Sequence, residues 1–333
     1  MDTGNLLRVT NMRKLFPVPR GMVGALLRRP QKSVHAVDRV SFDLSAGEIL
    51  ALVGESGSGK TTTALCSIGL LPLSGGEVLL NGENVTDMAR SRKRRKELRR
   101  KAQVIFQDPY GSLDPRQTVQ ETVIEPVEVH QLAEGGRDRT QLAIEALEAA
   151  GLKPAAEFFD RLPHELSGGQ RQRVAIASAL VLQPKLLLAD EPVSMLDVSI
   201  RAEILRLLLR LRDDRGIGIL YITHDLATTA HIANRVAVMY LGIIVEIGPS
   251  ADVLGGPLHP YTSALMSAIP VPNPRFRQKR PVVAGETPNA VDLPDGCRFH
   301  PRCPLAIERC RQVVPGLKEA GPDHFVACVL HEK

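Results

Sequence analysis

The chain has 333 residues, 44% of them hydrophobic and 24% charged, which suits one large folded domain with an appendage and excludes a disordered chain. No stretch approaches the roughly 18 uninterrupted apolar residues of a bilayer crossing, and the N-terminus has no charged-then-apolar leader, so the expected location is the cytoplasm. The net charge of +5 has a local source: nine of the residues 90–101 are Arg or Lys and Glu97 is the one acid among them. No aromatic is interleaved in that run, which favours a solvated helical face, near acidic lipid headgroups, over a nucleic-acid surface.

In chain order, residues 6–16 and 34–53 mix apolar alternation with glycine turns and predict strands of an antiparallel edge. Between them lies a basic insertion, residues 20–32, around Leu26 and Leu27. Ile49–Val53 predicts a short buried strand that runs into a glycine-rich loop. Residues 61–71 predict a helix stopped by Pro72, and 76–86 a β pair turned at Asn81-Gly82. A strand follows at 102–106. Residues 118–180 are mostly helical, with Leu142, Ala146 and Leu147 on one apolar face. Residues 185–189 read as an apolar strand, and 198–213 as a helix carrying Ile200, Ile204, Leu207, Leu208 and Leu211. Residues 217–223 form the next apolar strand, and Arg235–Tyr240 with 243–247 a hairpin around Gly242. Apolar strands alternating with helices imply a parallel sheet with helices on its faces. Beyond about residue 255 proline becomes dense, from Pro257 to Pro294, which predicts a linker and a small separate module.

The strongest local signal is the run Gly54, Glu55, Ser56, Gly57, Ser58, Gly59, Lys60, Thr61. It fits the phosphate-loop pattern, follows a strand and opens a helix. Its glycines let backbone N–H groups curl around phosphate oxygens, and the helix N-terminus adds partial positive charge. Lys60 would bridge the β- and γ-phosphates, and Thr61 would ligate Mg²⁺ through its hydroxyl. The second signal is an apolar strand, 186–189, that ends in Asp190-Glu191. Alone it could be a strand before a solvated acidic turn. Downstream of a phosphate loop it reads as an acidic pair in which Asp190 holds Mg²⁺ and Glu191 orients the attacking water.

A third signal, Leu166, Ser167, Gly168, Gly169, Gln170, continues as Arg171-Gln172-Arg173-Val174 and resembles the signature motif of ABC ATPases. The resemblance implies a P-loop NTPase fold of the ABC cassette type, α/β: a RecA-like parallel-sheet core, an antiparallel β subdomain and a helical subdomain at about 108–180. It also implies that the signature meets ATP held by the opposite subunit, where a Ser hydroxyl, Gly amides and a helix N-terminus favour an anion. It adds Thr62 to the ATP-binding loop. Gln107 is placed as the Q-loop glutamine that contacts Mg²⁺ and water, Asp197 as the D-loop aspartate, and His224 as the switch histidine on the γ-phosphate. Phe16 is the candidate for stacking on adenine; read alone it is a core or loop Phe. Met195 replaces the more usual Ala of the D-loop, and Ser178 stands where many relatives have Arg.

Three further stretches are similar to ATPases of dipeptide and oligopeptide importers: 106–116, His259-Pro260-Tyr261-Thr262, and Gly296-Cys297-Arg298-Phe299-His300-Pro301-Arg302-Cys303-Pro304; Phe16-Pro17-Val18 with the long insertion after it most resembles the second of the two ATPases such importers carry. This divides the chain into a cassette, 1–255, and a C-terminal module, 256–333. Cys297, Cys303, Cys310 and Cys328 crowd into that module. Four thiols in a short segment suggest a metal centre, zinc or an iron–sulfur cluster, although short CxxC pairs are absent; free thiols are the other reading. The resemblance implies a 4Fe–4S cluster on all four. Cys66 reads as a buried core thiol.

The expected activity is therefore ATP hydrolysis, with Mg²⁺, that drives solute import. The expected partners are two transmembrane permease subunits, a paralogous second ATPase paired head to tail, and indirectly an extracytoplasmic solute-binding protein, with no nucleic acid. The chain would work peripherally at the cytoplasmic face of the cell membrane. Three alternatives stay open: a soluble ABC ATPase acting on nucleic acid or ribosomes, a redox-sensing regulatory module, and a related importer for nickel complexes or oligosaccharides.

Overall fold

The computed structural model describes residues 5–20, 31–132, 138–268 and 288–332. Residues 21–30 of the basic insertion and 269–287 of the proline-rich stretch lie outside them. The first half of the chain forms β1 (Asn5–Pro17), β2 (Ser33–Ser45), β3 (Ile49–Val53), α1 (Lys60–Ser67), β4 (Gly75–Leu80), β5 (Glu83–Asn84), α2 (Val85–Arg90), α3 (Arg92–Lys101) and β6 (Ala102–Ile105). Then come α4 (Val119–His130), α5 (Arg139–Ala149), α6 (Gly168–Leu180), β7 (Leu186–Asp190), α7 (Val198–Arg215) and β8 (Gly218–Thr223). The remainder is α8 (Leu226–Ile232), β9 (Arg235–Tyr240), β10 (Ile243–Pro249), α9 (Ser250–Gly255), α10 (Pro260–Ser267), α11 (Glu308–Gln312), β11 (Lys318–Gly321) and β12 (His324–Val326). Among the described residues no helix is long and apolar enough to cross a membrane.

The chain packs into two compact units. The first holds the described residues up to Leu6, then Leu44–Ile49 and Leu80–Ile222. Its sheet strands run β6, β7, β8, all parallel, with Ala189 opposite Ile105 and Tyr221. Leu186–Ala189 are fully buried, which is why this strand shows no polar alternation. Gly218 opens β8 because nothing larger fits: a Cβ there would stand 2.5 Å from the Leu6 side chain and 2.9 Å from the Ser45 carbonyl. Helix α7 buries Ile204, Leu205, Leu207, Leu208 and Leu211 and stops at Gly216, whose φ is 63°. Helices α4, α5 and α6 pack pairwise into a helical layer. A capping box starts α4: the Glu121 N–H donates to Thr118 Oγ1 at 3.2 Å, and the Thr118 N–H to Glu121 Oε2 at 2.8 Å. The expected face of α5 is buried, at Leu142, Ala146 and Leu147.

Helix α3 carries the basic run. Leu98 anchors it in the core, and Arg94 and Lys101 reach Glu83 at 3.2 and 2.7 Å. Arg92, Lys93, Arg95 and Arg100 are exposed.

The second unit holds Leu7–Asp43, Leu50–Leu79 and the described residues from Thr223 onward. There β1 lies between β2 and β4. Strand β3, buried throughout, runs parallel to β9, which pairs antiparallel with β10. Leu241 and Gly242 turn that hairpin with φ of 43° and 79°, the left-handed pair that a two-residue hairpin requires. Helix α1 ends at Ser67, short of the expected Leu71. Gly69 takes φ 67°, and the N–H groups of Leu70 and Leu71 both fold back on the Leu65 carbonyl, so a glycine C-terminus stops the helix before Pro72 is reached.

The tail does not stand apart from this unit. Strand β12 pairs with β10, with Val326 opposite Glu246 and Phe325 opposite Ile247, and β11 pairs with β12. Arg298 donates to Asp38 and to the Leu241 carbonyl. Tyr240, Tyr261 and Phe299 are almost wholly buried against one another, with ring centroids 4.6 to 5.4 Å apart. The compact unit that holds β9 and β10 therefore also holds the described tail residues.

Candidate functional site

The glycine-rich loop leaves the end of β3 in a conformation that only glycines permit at two places. Gly54 has φ 150°, and a Cβ on it would stand 2.2 Å from the Met239 carbonyl oxygen. Gly59 has φ 104°, and its Cβ would stand 2.2 Å from the Ala36 carbonyl oxygen. The loop is thus pressed onto β9 and β2. The Gly242 N–H ties it further by donating to the Ser58 carbonyl at 2.9 Å. Lys60 is buried, and its Nζ donates to the Gly54 carbonyl at 2.8 Å and the Glu55 carbonyl at 2.9 Å. Helix α1 begins here, capped by Gly59, which has no side chain to occupy the helix's first N–H groups, as an anion site would need. Thr61 is exposed on the first turn and Thr62 half-buried. This cradle fits a polyphosphate.

Glu55 is fixed at both ends of its side of the loop. Its N–H donates to Tyr261 Oη at 2.9 Å, and its carboxylate accepts both Nη groups of Arg302 at 3.0 and 3.2 Å. Neither partner was legible as such. The segments containing Tyr261 and Arg302 were readable only as marks of kinship, and no spacing rule links them to position 55.

In the first unit, the register of β6 against β7 explains a second group. Ile105 lies opposite Ala189, so Gln107 and Glu191, each two residues further on, emerge at the same strand ends. Gln107 Nε2 donates to Glu191 Oε2 at 3.0 Å. Asp190 closes β7 and is half-buried. Glu191 takes φ 46°, a left-handed backbone unusual for a non-glycine residue, held by its N–H on the Ile222 carbonyl at 2.9 Å. Such a conformation costs about 1–2 kcal/mol and collects where a side chain must be aimed.

Ser167 caps α6. Its Oγ accepts the Gln170 N–H at 3.3 Å, and Gln170 Oε1 accepts the Ser167 N–H at 2.9 Å. Leu166 is buried beneath the cap and Ser167 is exposed. Gly169 lets α6 approach α7, since a Cβ there would stand 2.5 Å from Ile200 Cγ2; Gly168 is half-buried with ordinary space around it. Arg171 lies over the Tyr110 ring, 4.1 Å from its centroid. Asp197 caps α7 with its backbone, and its neighbours Met195 and Val198 are 58% and 81% exposed.

Back in the second unit, Phe16 is exposed near the end of β1, with Lys14 Nζ 4.8 Å from its ring centroid. His224 is exposed directly after β8, and Asp225 caps α8 by accepting the Ala227 and Thr228 N–H groups at 3.0 and 3.2 Å. Cys66 is buried as expected, and burial pushes its thiol up to about 11. In the tail, burial pushes the Cys297 thiol up to about 11 against the Phe299 N–H, and its charge neighbours are Cys310, Cys328 and Cys303. Burial also raises Cys303 and Cys328. The four sulfurs therefore share one neighbourhood, and burial favours the neutral thiol at Cys297, Cys303 and Cys328. Even so, among the described residues no group of three or more His, Cys, Asp or Glu is arranged to hold a metal ion, so the expected cluster finds no closed ligand set in this arrangement.

The model of the ABC transporter family matches residues 37–194, from β2 through the acidic strand end, and a model described as the oligopeptide/dipeptide transporter C-terminal region matches 245–310. The chain is 43% identical over 328 residues to the oligopeptide transport ATP-binding protein AppF of Bacillus subtilis, across 98% of this chain and 97% of that one. The chain belongs to the ABC transporter family. It is an ATPase subunit of the kind that family couples to transport. The similarity extends to a probable peptide ABC transporter ATP-binding protein, y4tS, of Sinorhizobium fredii, 46% identical across 97% of this chain and 89% of that one. Among solved structures, the cassette MJ0796 bound to ADP and Pi superposes with a TM-score of 0.62 at 27% identity, covering 73% of this chain and 98% of that one. ATP and Mg²⁺ suit the family and the cradle described above.

Proposed function

We propose that this chain is the ATP-hydrolysing subunit that energises import of di- or oligopeptides through a membrane permease, working at the cytoplasmic face. The observation that carries the reading is a complete phosphate loop in a chain whose kinship with peptide transporters runs nearly its whole length and includes the tail. In this reading residues 1–255 act as the cassette and 256–333 as the transporter-specific tail.

The loop from Gly54 to Thr62 cradles the phosphates, Lys60 neutralises their charge, and Phe16 stacks on adenine. Thr61, Asp190 and Gln107 would hold Mg²⁺, which supplies charge neutralisation at the phosphates. Glu191 accepts a proton from the attacking water, and its left-handed backbone and hydrogen bond to Gln107 support that aim. His224 contacts the γ-phosphate. A paralogous ATPase pairs head to tail so that Leu166–Gln170 meets the partner's nucleotide, with Asp197 at the seam; the exposed Met195 and Val198 support a covered surface there. Phe106 and Tyr110, 53% and 62% exposed beside Gln107, support a docking surface for one of two transmembrane permease subunits. A solute-binding protein outside the membrane would deliver the peptide to those subunits.

The four tail thiols are proposed to take up a 4Fe–4S cluster on rearrangement of Cys297, Cys303, Cys310 and Cys328. Their shared neighbourhood and the N–H groups aimed at three of them support this. Iron and labile sulfide measured on anaerobically purified chain test it, and absence of both removes the cluster. The importer reading is tested by a tagged pull-down from detergent-solubilised native membranes. Multispanning permeases and a second cassette are expected; recovery with nucleic acid or ribosomes alone overturns the transport reading.

A further inference from the structure

The phosphate loop is held by more than its own turn. Every polar group of Glu55 has a partner: the N–H on Tyr261 Oη, the carboxylate on Arg302, and the carbonyl on Lys60 Nζ at 2.9 Å and the Ser58 N–H at 3.2 Å. Lys60 is the side chain expected to meet the phosphates, so whatever fixes Glu55 also fixes one of the two carbonyls that orient Lys60.

Two anchors far along the chain do this fixing. Tyr261 lies on α10, is 1% exposed, and is locked by the rings of Tyr240 and Phe299. Arg302 lies in the tail, next to Cys303, with a side chain only 10% exposed. It uses both Nη groups on the Glu55 carboxylate, and Nη1 also reaches Tyr240 Oη at 3.4 Å. A two-pronged arginine–carboxylate pair with one side buried fixes direction as well as distance, unlike an exposed ion pair between flexible chains. All of these residues belong to the same compact unit as the loop.

We infer that Arg302 and Tyr261 are positioning residues for nucleotide, through which the tail sets the pose of the phosphate loop. This rests on reading Gly54–Thr61 as the loop that binds ATP. The tail then has a direct mechanical line to ATP affinity: Arg302 to Glu55 to Lys60. Movement of the segment around Cys303 shifts that line.

The test titrates the full-length chain with a fluorescent ATP analogue and Mg²⁺, and measures steady-state ATPase alongside. Arg302→Ala is expected to weaken nucleotide binding about tenfold and raise KM to match, with kcat held within about twofold, the scale of one lost charge-assisted bond. Arg302→Lys, which keeps the charge and loses the fork, should recover part of the loss. Tyr261→Phe should weaken binding about threefold, because only one N–H loses its acceptor. In an Glu55→Ala background, Arg302→Ala should cost nothing further. Wild-type affinity in both Arg302 variants, or a loss that persists undiminished in the Glu55→Ala background, overturns the proposal. Should Arg302→Ala fail to fold, Arg302→Lys and Tyr261→Phe carry the test. A wild-type chain that binds no nucleotide overturns the phosphate-loop reading and this proposal with it; wild-type binding with unchanged variants overturns this proposal alone.

Discussion

Replacing Glu246 by alanine should be among the most damaging single changes in the second unit. Glu246 is fully buried on β10 and accepts three hydrogen bonds: from the Leu258 N–H at 2.8 Å, the His259 N–H at 2.9 Å and His324 Nε2 at 2.8 Å. It thereby gathers the β9–β10 hairpin, the segment leading into α10, and the tail strand β12. Removing it strands two buried donors and one part-buried donor, each costing about 1–3 kcal/mol when left without a partner. Taking the low end, because water can enter the space the side chain leaves, the loss is about 3–5 kcal/mol. For a unit of this size that corresponds to a fall in Tm of roughly 10 °C. Glu246→Gln keeps one acceptor oxygen and should lose about half as much. Thermal melts of wild type and both variants at equal concentration, followed by far-ultraviolet circular dichroism, make the comparison. A loss below about 1 kcal/mol for the alanine variant would refute the claim that this carboxylate ties the three segments together.

Three other outcomes are expected. Glu191→Gln should keep ATP binding and lose at least about a hundredfold in turnover, since the amide cannot take the water's proton; substantial residual hydrolysis in a phosphate-release assay counts against this base. Gly54→Ala should destabilise by about 3 kcal/mol or more, because the new Cβ meets the Met239 carbonyl at 2.2 Å. Gly216→Ala, at φ 63° with nothing within 4 Å, should cost only about 1 kcal/mol, and equal urea midpoints for the two would show that the close contact is immaterial. Finally, burial raises the folded-state value of Cys66 from 9.0 to about 11, so folding favours the neutral thiol. Its contribution is complete below pH 9 and is lost as pH rises from 9 toward about 11. Relative to Cys66→Ala, the wild type should lose about 2 kcal/mol across that window, read from urea midpoints at each pH; parallel curves would falsify the assignment.

Residues whose role is local were legible in the sequence. The glycines of the phosphate loop, the apolar run 186–189 and the helical spacing of Leu207, Leu208 and Leu211 each encode their environment within a few neighbours, and each falls in the expected element. The early end of α1 was missed because a proline is the louder stop signal, whereas Gly69 stops a helix only by adopting a left-handed turn that composition does not announce. The joining of β12 to β10 was missed for a different reason. Proline density marks where chain character changes, but it carries no information about where the following strand will find its hydrogen-bonding partner. Long-range pairs such as Arg302 with Glu55, or His324 with Glu246, have no periodicity to betray them.

The addition of β12 and β11 beyond β10 also decides what the sheet shows to the outside. Without them, β10 would present an open rank of amides and carbonyls along a strand bearing Ile244, Val245 and Ile247, all buried in the folded chain. Such an edge invites pairing with other chains. With them, the outermost strand is β11, four residues long, mostly exposed, bearing Lys318 and Glu319, and broken by a shift in register before Gly321. The tail therefore also works as a sheath: it exchanges an adhesive border for a short, charged and irregular one, so a cassette shorn of its last residues would tend to clump before it had lost any catalytic group.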